Sequence, residues 1–127
     1  MRSVDANVLV RIVARDDERQ TALADSYVAK GAWISHLVLA ETTWVLARVY
    51  GLGAEDIAKV VEMLVHHESL SLQDEDTVGA ALEHYRRRPA LGFSDCLILE
   101  VARKAGHVPL ATFDRNLARL DGAERLS

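Results

Sequence analysis

The sequence predicts an α/β fold, with a mainly parallel central sheet flanked by helices on both faces. Three observations lead there. Short apolar runs of strand length alternate with longer segments whose apolar residues recur at helical spacing. Gly31, Gly51, Gly106 and Pro89 stand where the helical segments should stop. The 127 residues carry no repeat or linker, so one domain must bury all the apolar faces, with right-handed crossovers joining the strands.

The elements follow in order. Ser3-Val4 reads as a brief first strand, and Val8, Leu9, Val10, Ile12 and Val13 as the apolar side of a helix. Asp16-Asp17-Glu18 ends that helix and supplies acids for the next, where Leu23, Ala24, Tyr27 and Val28 form a stripe within Thr21 to Lys30. Ala32-Trp33-Ile34 is a strand, and Ser35 an N-cap for a helix running to about Tyr50. Ala54 to His67 is a fourth helix, with Ile57, Val60, Val61, Leu64 and Val65 on its apolar side, and Leu70-Ser71-Leu72 a third strand. Asp74, Glu75 and Asp76 suit the positive end of a helix that runs to Arg86-Arg87-Arg88. Ser94-Asp95 opens another, through Leu97, Ile98, Leu99, Val101 and Ala102. Val108 to Thr112 is a strand whose proline lies near its start, where a ladder donor can be spared. Asp114 begins a short helix with Leu117 and Leu120, and Ala123 to Leu126 is a last edge strand.

Composition narrows the function. Half the residues are hydrophobic and 27% charged, as in ordinary globular domains. The net charge of -4 gives no global basic surface, so a polyanionic substrate needs a local device such as a metal ion or an arginine patch. Cys96 is alone, which excludes an intramolecular disulfide and suggests a reducing, cytoplasmic setting. No leader pattern opens the chain and no apolar run reaches membrane-spanning length, so no membrane partner is expected.

Four acids hold the chemistry. Asp5 and Asp114 follow apolar runs of strand type and so belong at strand carboxyl ends, where open α/β sheets bind ligands. Glu41 lies three residues after Val38 and four before Val45, which places it on an apolar helix face; Asp95 stands likewise to Ile98 and Leu99. An ionised carboxylate on such a face is costly unless paired. Converging acids would repel one another, and a divalent cation relieves that; hard oxygen donors suit Mg²⁺ or Mn²⁺. Each acid also has a local role open to it: helix capping for Asp114, Asx capping in a strand-to-helix turn for Asp5-Ala6-Asn7, and dipole complementation for Asp95.

The chain resembles the PIN-domain ribonucleases of the VapC toxin type, found in bacterial toxin-antitoxin pairs. The matching motifs are Val4-Asp5-Ala6-Asn7, Ala40-Glu41, Ser94-Asp95-Cys96-Leu97-Ile98 and Ala111-Thr112-Phe113-Asp114-Arg115-Asn116-Leu117, in the family's order across almost the whole chain. The resemblance implies a metal-dependent endoribonuclease acting on single-stranded or looped RNA and leaving a 5′-phosphate. Asp5, Asp95 and Asp114 would hold Mg²⁺ or Mn²⁺, while Glu41 would either ligate the metal or orient the attacking water. Asn7 and Thr112 match polar supporting positions. Asn116 stands where some members carry a further acid. The resemblance also implies a homodimer and an antitoxin whose tail fills a groove beside the site.

The remaining residues carry smaller expectations. Arg86-Arg87-Arg88 reads first as a solvated cationic helix end and second as an RNA contact. Arg11 and Arg15 read as solvated surface, the five histidines as structural, and Cys96 as a small core residue. Tyr27, Trp33, Trp44 and Tyr50 read as core, with some left to line a partner groove. The rival readings are a non-catalytic module of the same fold, a DNA-directed nuclease, a phosphoacceptor receiver and an aspartyl phosphatase. The receiver lacks a lysine after a late strand, and the phosphatase would want an acid where Asn7 stands.

Overall fold

The computed structural model describes residues 1–127. Six α-helices alternate with four short strands: α1 (Ala6–Ala14), α2 (Glu18–Val28), β1 (Ala32–Ile34), α3 (His36–Arg48), α4 (Ala54–His66), β2 (Leu70–Leu72), α5 (Glu75–Arg87), α6 (Phe93–Lys104), β3 (Leu110–Thr112) and β4 (Ala123–Arg125). A 3₁₀ turn, Leu117–Arg119, lies between β3 and β4. The expected helices and strands are present with two exceptions: the first strand is reduced to a single parallel bridge between Ser3 and Trp33, and the short helix expected from Asp114 is only the 3₁₀ turn.

All strand pairing is parallel. β1 pairs with β2 in the register Ala32 to Leu70, and β3 with β4 in the register Leu110 to Ala123. The bridge at Ser3 is framed by Trp33 N–H donating to Arg2 O at 2.7 Å and Val4 N–H donating to Trp33 O at 3.3 Å. The expected single central sheet is instead two two-stranded sheets. Local chemistry explains the brevity of the strands. Asp5, Ser35 and Asp74 each turn the chain into a helix within two residues of the strand residues before them. Each caps its helix through a side-chain oxygen, which accepts from Val8, Val38 and Thr77 N–H respectively. Most of the backbone pairing therefore lies in helices.

The core gathers around β1 and β2, with Leu9, Ile34, Leu39, Leu46, Ile57 and Leu64 fully enclosed. α6 lies against α5 and α3, and α3 against α1. At one end of the α5–α6 pair Tyr85 and Phe93 meet edge to face, with ring centroids 5.9 Å apart. At the other, Lys104 reaches Asp74 at 3.5 Å. Between them lies a buried acid that the sequence did not single out. Glu100 accepts from Arg103 Nε at 2.8 Å and meets His84 Nε2 at 3.1 Å. Arg103 also donates to the carbonyl of Asp121, and a Cβ at Gly122 (φ 94°) would sit 2.8 Å from its guanidinium. Gly122 thus combines a left-handed turn with a close approach that side chains would block.

One expectation about burial fails. Trp44 is 55% exposed, Trp33 38% and Tyr27 36%, so this aromatic group is largely surface rather than core. Arg11 and Arg15 lie at the surface as expected and are ion-paired there. Arg11 binds Asp16 at 2.9 Å and Tyr50 Oη at 3.3 Å, and Arg15 binds Asp25 at 2.7 Å. Tyr50 in turn donates to Asp16 at 2.9 Å, holding that carboxyl below its usual range and clipping the α1–α2 turn to the end of α3. Removing Glu100 should expose what it holds together. Glu100→Ala is expected to lower the unfolding free energy by about 2–3 kcal/mol, below the range for wholly enclosed pairs because Arg103 is partly solvated. Urea denaturation of the two proteins measures this.

Candidate active site

Parallel pairing places the carboxyl ends of the Ser3 segment and β1 on one edge of the first sheet. Asp5 follows the former directly, and Ser35 opens α3 after the latter. Gln73, just past β2, ties the same edge together: its Oε1 accepts from His36 N–H at 2.9 Å. Asp114 follows β3 at the matching edge of the second sheet. Asp95 lies in the first turn of α6, whose N-cap is Gly92 rather than Ser94.

Asp5 is exposed, and its Oδ1 accepts from Val8 N–H at 3.3 Å. One oxygen therefore caps α1 while the other makes no protein hydrogen bond. Asp114 is built the same way. Its Oδ1 accepts from Asn116 N–H at 2.7 Å and Leu117 N–H at 3.1 Å, and its own N–H donates to Thr112 Oγ1 at 3.0 Å. Thr112 and Asn116 thus both serve Asp114, Asn116 through its backbone and Thr112 through its hydroxyl on the Asp114 backbone. Asn7 is exposed and lines a cavity of about 390 Å³ between α1 and α2, together with Val8, Arg11, Leu23 and Tyr27. Its side chain forms no bond to Asp5.

Glu41 departs from expectation. It is exposed, and the core side of α3 is taken by Leu39, Thr42, Thr43 and Leu46. Two buried threonines satisfy their hydroxyls on their own helix: Thr42 donates to Val38 O at 2.7 Å and Thr43 to Ala40 O at 3.0 Å. Two threonines thus share the inward face with Leu39 and Leu46, while Val38 and Val45 flank it half-buried and Glu41 falls on the solvent side. Asp95 is half-buried; a Cβ on Gly92 would stand 3.5 Å from its Oδ2. Of its expected stripe Leu99 is buried, whereas Ile98 is 52% exposed.

None of the four acids has a basic side chain within salt-bridge reach. α3, which carries Glu41, touches both α1 and α6. No three carboxylate, imidazole or thiol groups come within common reach of one metal ion. The single meeting point anticipated for the quartet is thus not formed by these side-chain positions, although each acid keeps oxygens free. His36, at the start of α3, has a buried Nε2 with no hydrogen-bond partner; nothing in its sequence spacing set it apart.

The PIN domain family matches residues 3–123, nearly the full chain and the segments bearing all four acids. The chain belongs to the PIN domain family. PIN domains are commonly nucleases, and their hydrolytic chemistry generally depends on divalent metal ions. Comparison with curated proteins gave no match. In donor chemistry alone the four acids suit such an ion, being hard carboxylate oxygens uncompensated by lysine or arginine, although no three of them stand within reach of one ion. No helix of this PIN domain is long and apolar enough to cross a membrane.

Cys96, next to Asp95, behaves as the core residue expected. It is fully buried, and burial first, then the charges of Asp95 and Glu100, push its thiol up to about 11. The folded protein should resist thiol reagents at pH 8 and react once denatured. The same shift sets a pH trend. The unfolded thiol ionises near its ordinary 9.0 and the folded one near 11, so the unfolded state binds fewer protons between them. This group's contribution to stability is complete below about pH 9 and declines as pH rises to about 11. Melting curves of wild type and Cys96→Ala across that interval isolate the trend.

Proposed function

We propose that this PIN domain is a metal-dependent endoribonuclease, the toxin of a toxin-antitoxin pair. The family match over residues 3–123 carries the reading. The four acids support it, since they sit on segments the match covers and none is neutralised by a neighbouring cation.

Asp5, Asp95 and Asp114 would hold Mg²⁺ or Mn²⁺, with Glu41 either joining them or orienting water. When bound, such an ion lowers the pKa of a coordinated water and stabilises charge on a phosphoryl oxygen. The chain's own part is positional. Asp5 is fixed by its bond to Val8 N–H, and Asp114 by bonds from Asn116 and Leu117 N–H, so each presents its second oxygen in a defined direction. Thr112 steadies the backbone of Asp114. Glu41, exposed on a helix touching both α1 and α6, is free to accept a proton from water near a strand held there.

A partner is part of this proposal. Leu23, Leu37, Trp44 and Val49 leave large apolar side chains exposed on α2 and α3, and the α1–α2 cavity opens beside Asn7. These surfaces suit a homodimer contact and an antitoxin tail. Light scattering of the isolated chain should therefore give twice its 14.0 kDa mass. A monomer at micromolar concentration would remove the dimer from the proposal.

The decisive assay incubates the protein with RNA in Mg²⁺ or Mn²⁺ and maps new 5′ ends. Wild type is expected to cleave, and excess chelator to stop it. Asp5→Asn and Asp95→Asn should each reduce cleavage by about 10³-fold or more, with melting temperatures within a few degrees of wild type. Full activity in either variant, or in chelator, refutes the assignment. Cleavage of DNA alone moves the reading to a DNA-directed nuclease.

A further inference from the structure

A cavity of about 370 Å³ lies where the end of α5 meets the 3₁₀ turn, lined by His84, Arg87, Arg88, Arg119, Leu120 and Asp121. Three guanidinium groups and an imidazole face one acid in a protein of net charge -4. Half of the other lysines and arginines are already spent: Arg11, Arg15, Lys59, Arg86, Arg103 and Lys104 all hold carboxylates. In this cavity Arg88 and Arg119 have no carboxylate within 4.0 Å. Arg87 has only Glu83 at 3.7 Å, both more than 70% exposed, a pairing of little strength.

The position of the cavity matters as much as its charge. Arg88 precedes Asp95 by seven residues, across the α5–α6 turn, and Arg119 follows Asp114 by five. Each of the two arginines thus lies a short connection along the chain from one of these acids. We infer that Arg87, Arg88 and Arg119 form a phosphate-binding subsite that grips the backbone of a single nucleic-acid strand. Guanidinium forks match phosphate oxygens in pairs, and an overall acidic protein needs such a local anchor to hold a polyanion. An acidic peptide offers carboxylates too, but lacks the regular spacing of charge that would serve three arginines in turn.

What the strand does there rests on the nuclease reading; the binding itself does not. Binding is therefore measured in chelator, by fluorescence anisotropy of a labelled single-stranded RNA and of a DNA of the same sequence, between 50 and 200 mM salt. Arg88→Gln combined with Arg119→Gln should weaken strand affinity on the order of tenfold. It should also make the slope of log affinity against log salt shallower by about 1.4, two contacts at 0.7 each. Arg88→Lys with Arg119→Lys should restore the slope, because the charge returns. Lys30→Gln with Lys59→Gln removes equal charge outside the cavity and should leave the slope unchanged.

Equal affinity and slope in the arginine and lysine pairs overturns the subsite, as does a wild type that binds neither strand. Loss of poly-glutamate binding with strand binding intact also overturns it, in favour of an acidic peptide. A wild type that binds strands through these arginines but cleaves no RNA in Mg²⁺ keeps the subsite and defeats the nuclease reading.

Discussion

Parallel pairing is the constraint on which the rest of this molecule depends. Two adjacent parallel strands cannot be joined by a tight turn, so the chain must make a longer crossover, through helices or, between β3 and β4, through a 3₁₀ turn, before it can return. β1 and β2 are joined by α3 and α4, and the Ser3 bridge is joined to β1 by α1 and α2. Every strand of a set then ends at the same edge. Asp5 at the end of the first segment and the start of α3 at the end of β1 are neighbours for this reason, without any direct contact between acids having to draw them together.

The helices share the work of the sheet. Three-residue strands contribute few ladder bonds, and the enclosed side chains come mostly from α1, α3, α4, α5 and α6. The polar ties between elements are correspondingly specific. Gln73 fastens the end of β2 to α3, Arg11 and Tyr50 fasten α1 and α3 through Asp16, and Glu100 gathers Arg103 and His84. Lone charges in the interior would be costly, and Glu100 avoids that cost through two partners, one on its own helix and one on α5.

Most of the fold could be read from the chain because local signals agreed. Ser35 caps the helix it was expected to cap, Asp5 takes the capping role open to it, and Ala32–Ile34 and Leu70–Leu72 pair as strands. The extent of the sheet could not be read, since a three-residue apolar run says nothing about which neighbour completes its ladder. The orientation of Glu41 was misread because valines at helical spacing outweighed Thr42 and Thr43, whose hydroxyls are satisfied within the helix and so enter the core. The acids themselves were visible by type and by position after strands. Their spatial relation was not, because it depends on how α6 and α3 pack, and no local spacing encodes that. The arginine cavity was half visible: Arg86-Arg87-Arg88 stood out, but Arg119 joins them only in three dimensions, and Arg86 turns away to Glu62.

The placement of the two tryptophans has an optical consequence. Both indoles, Trp33 and Trp44, sit partly in water in the native state, and Arg48 lies over the Trp44 ring at 5.6 Å. Intrinsic emission from this protein is therefore already red-shifted when folded, and changes little in wavelength on denaturation. It responds instead to anything that lays apolar surface over α3, turning blue as water is displaced.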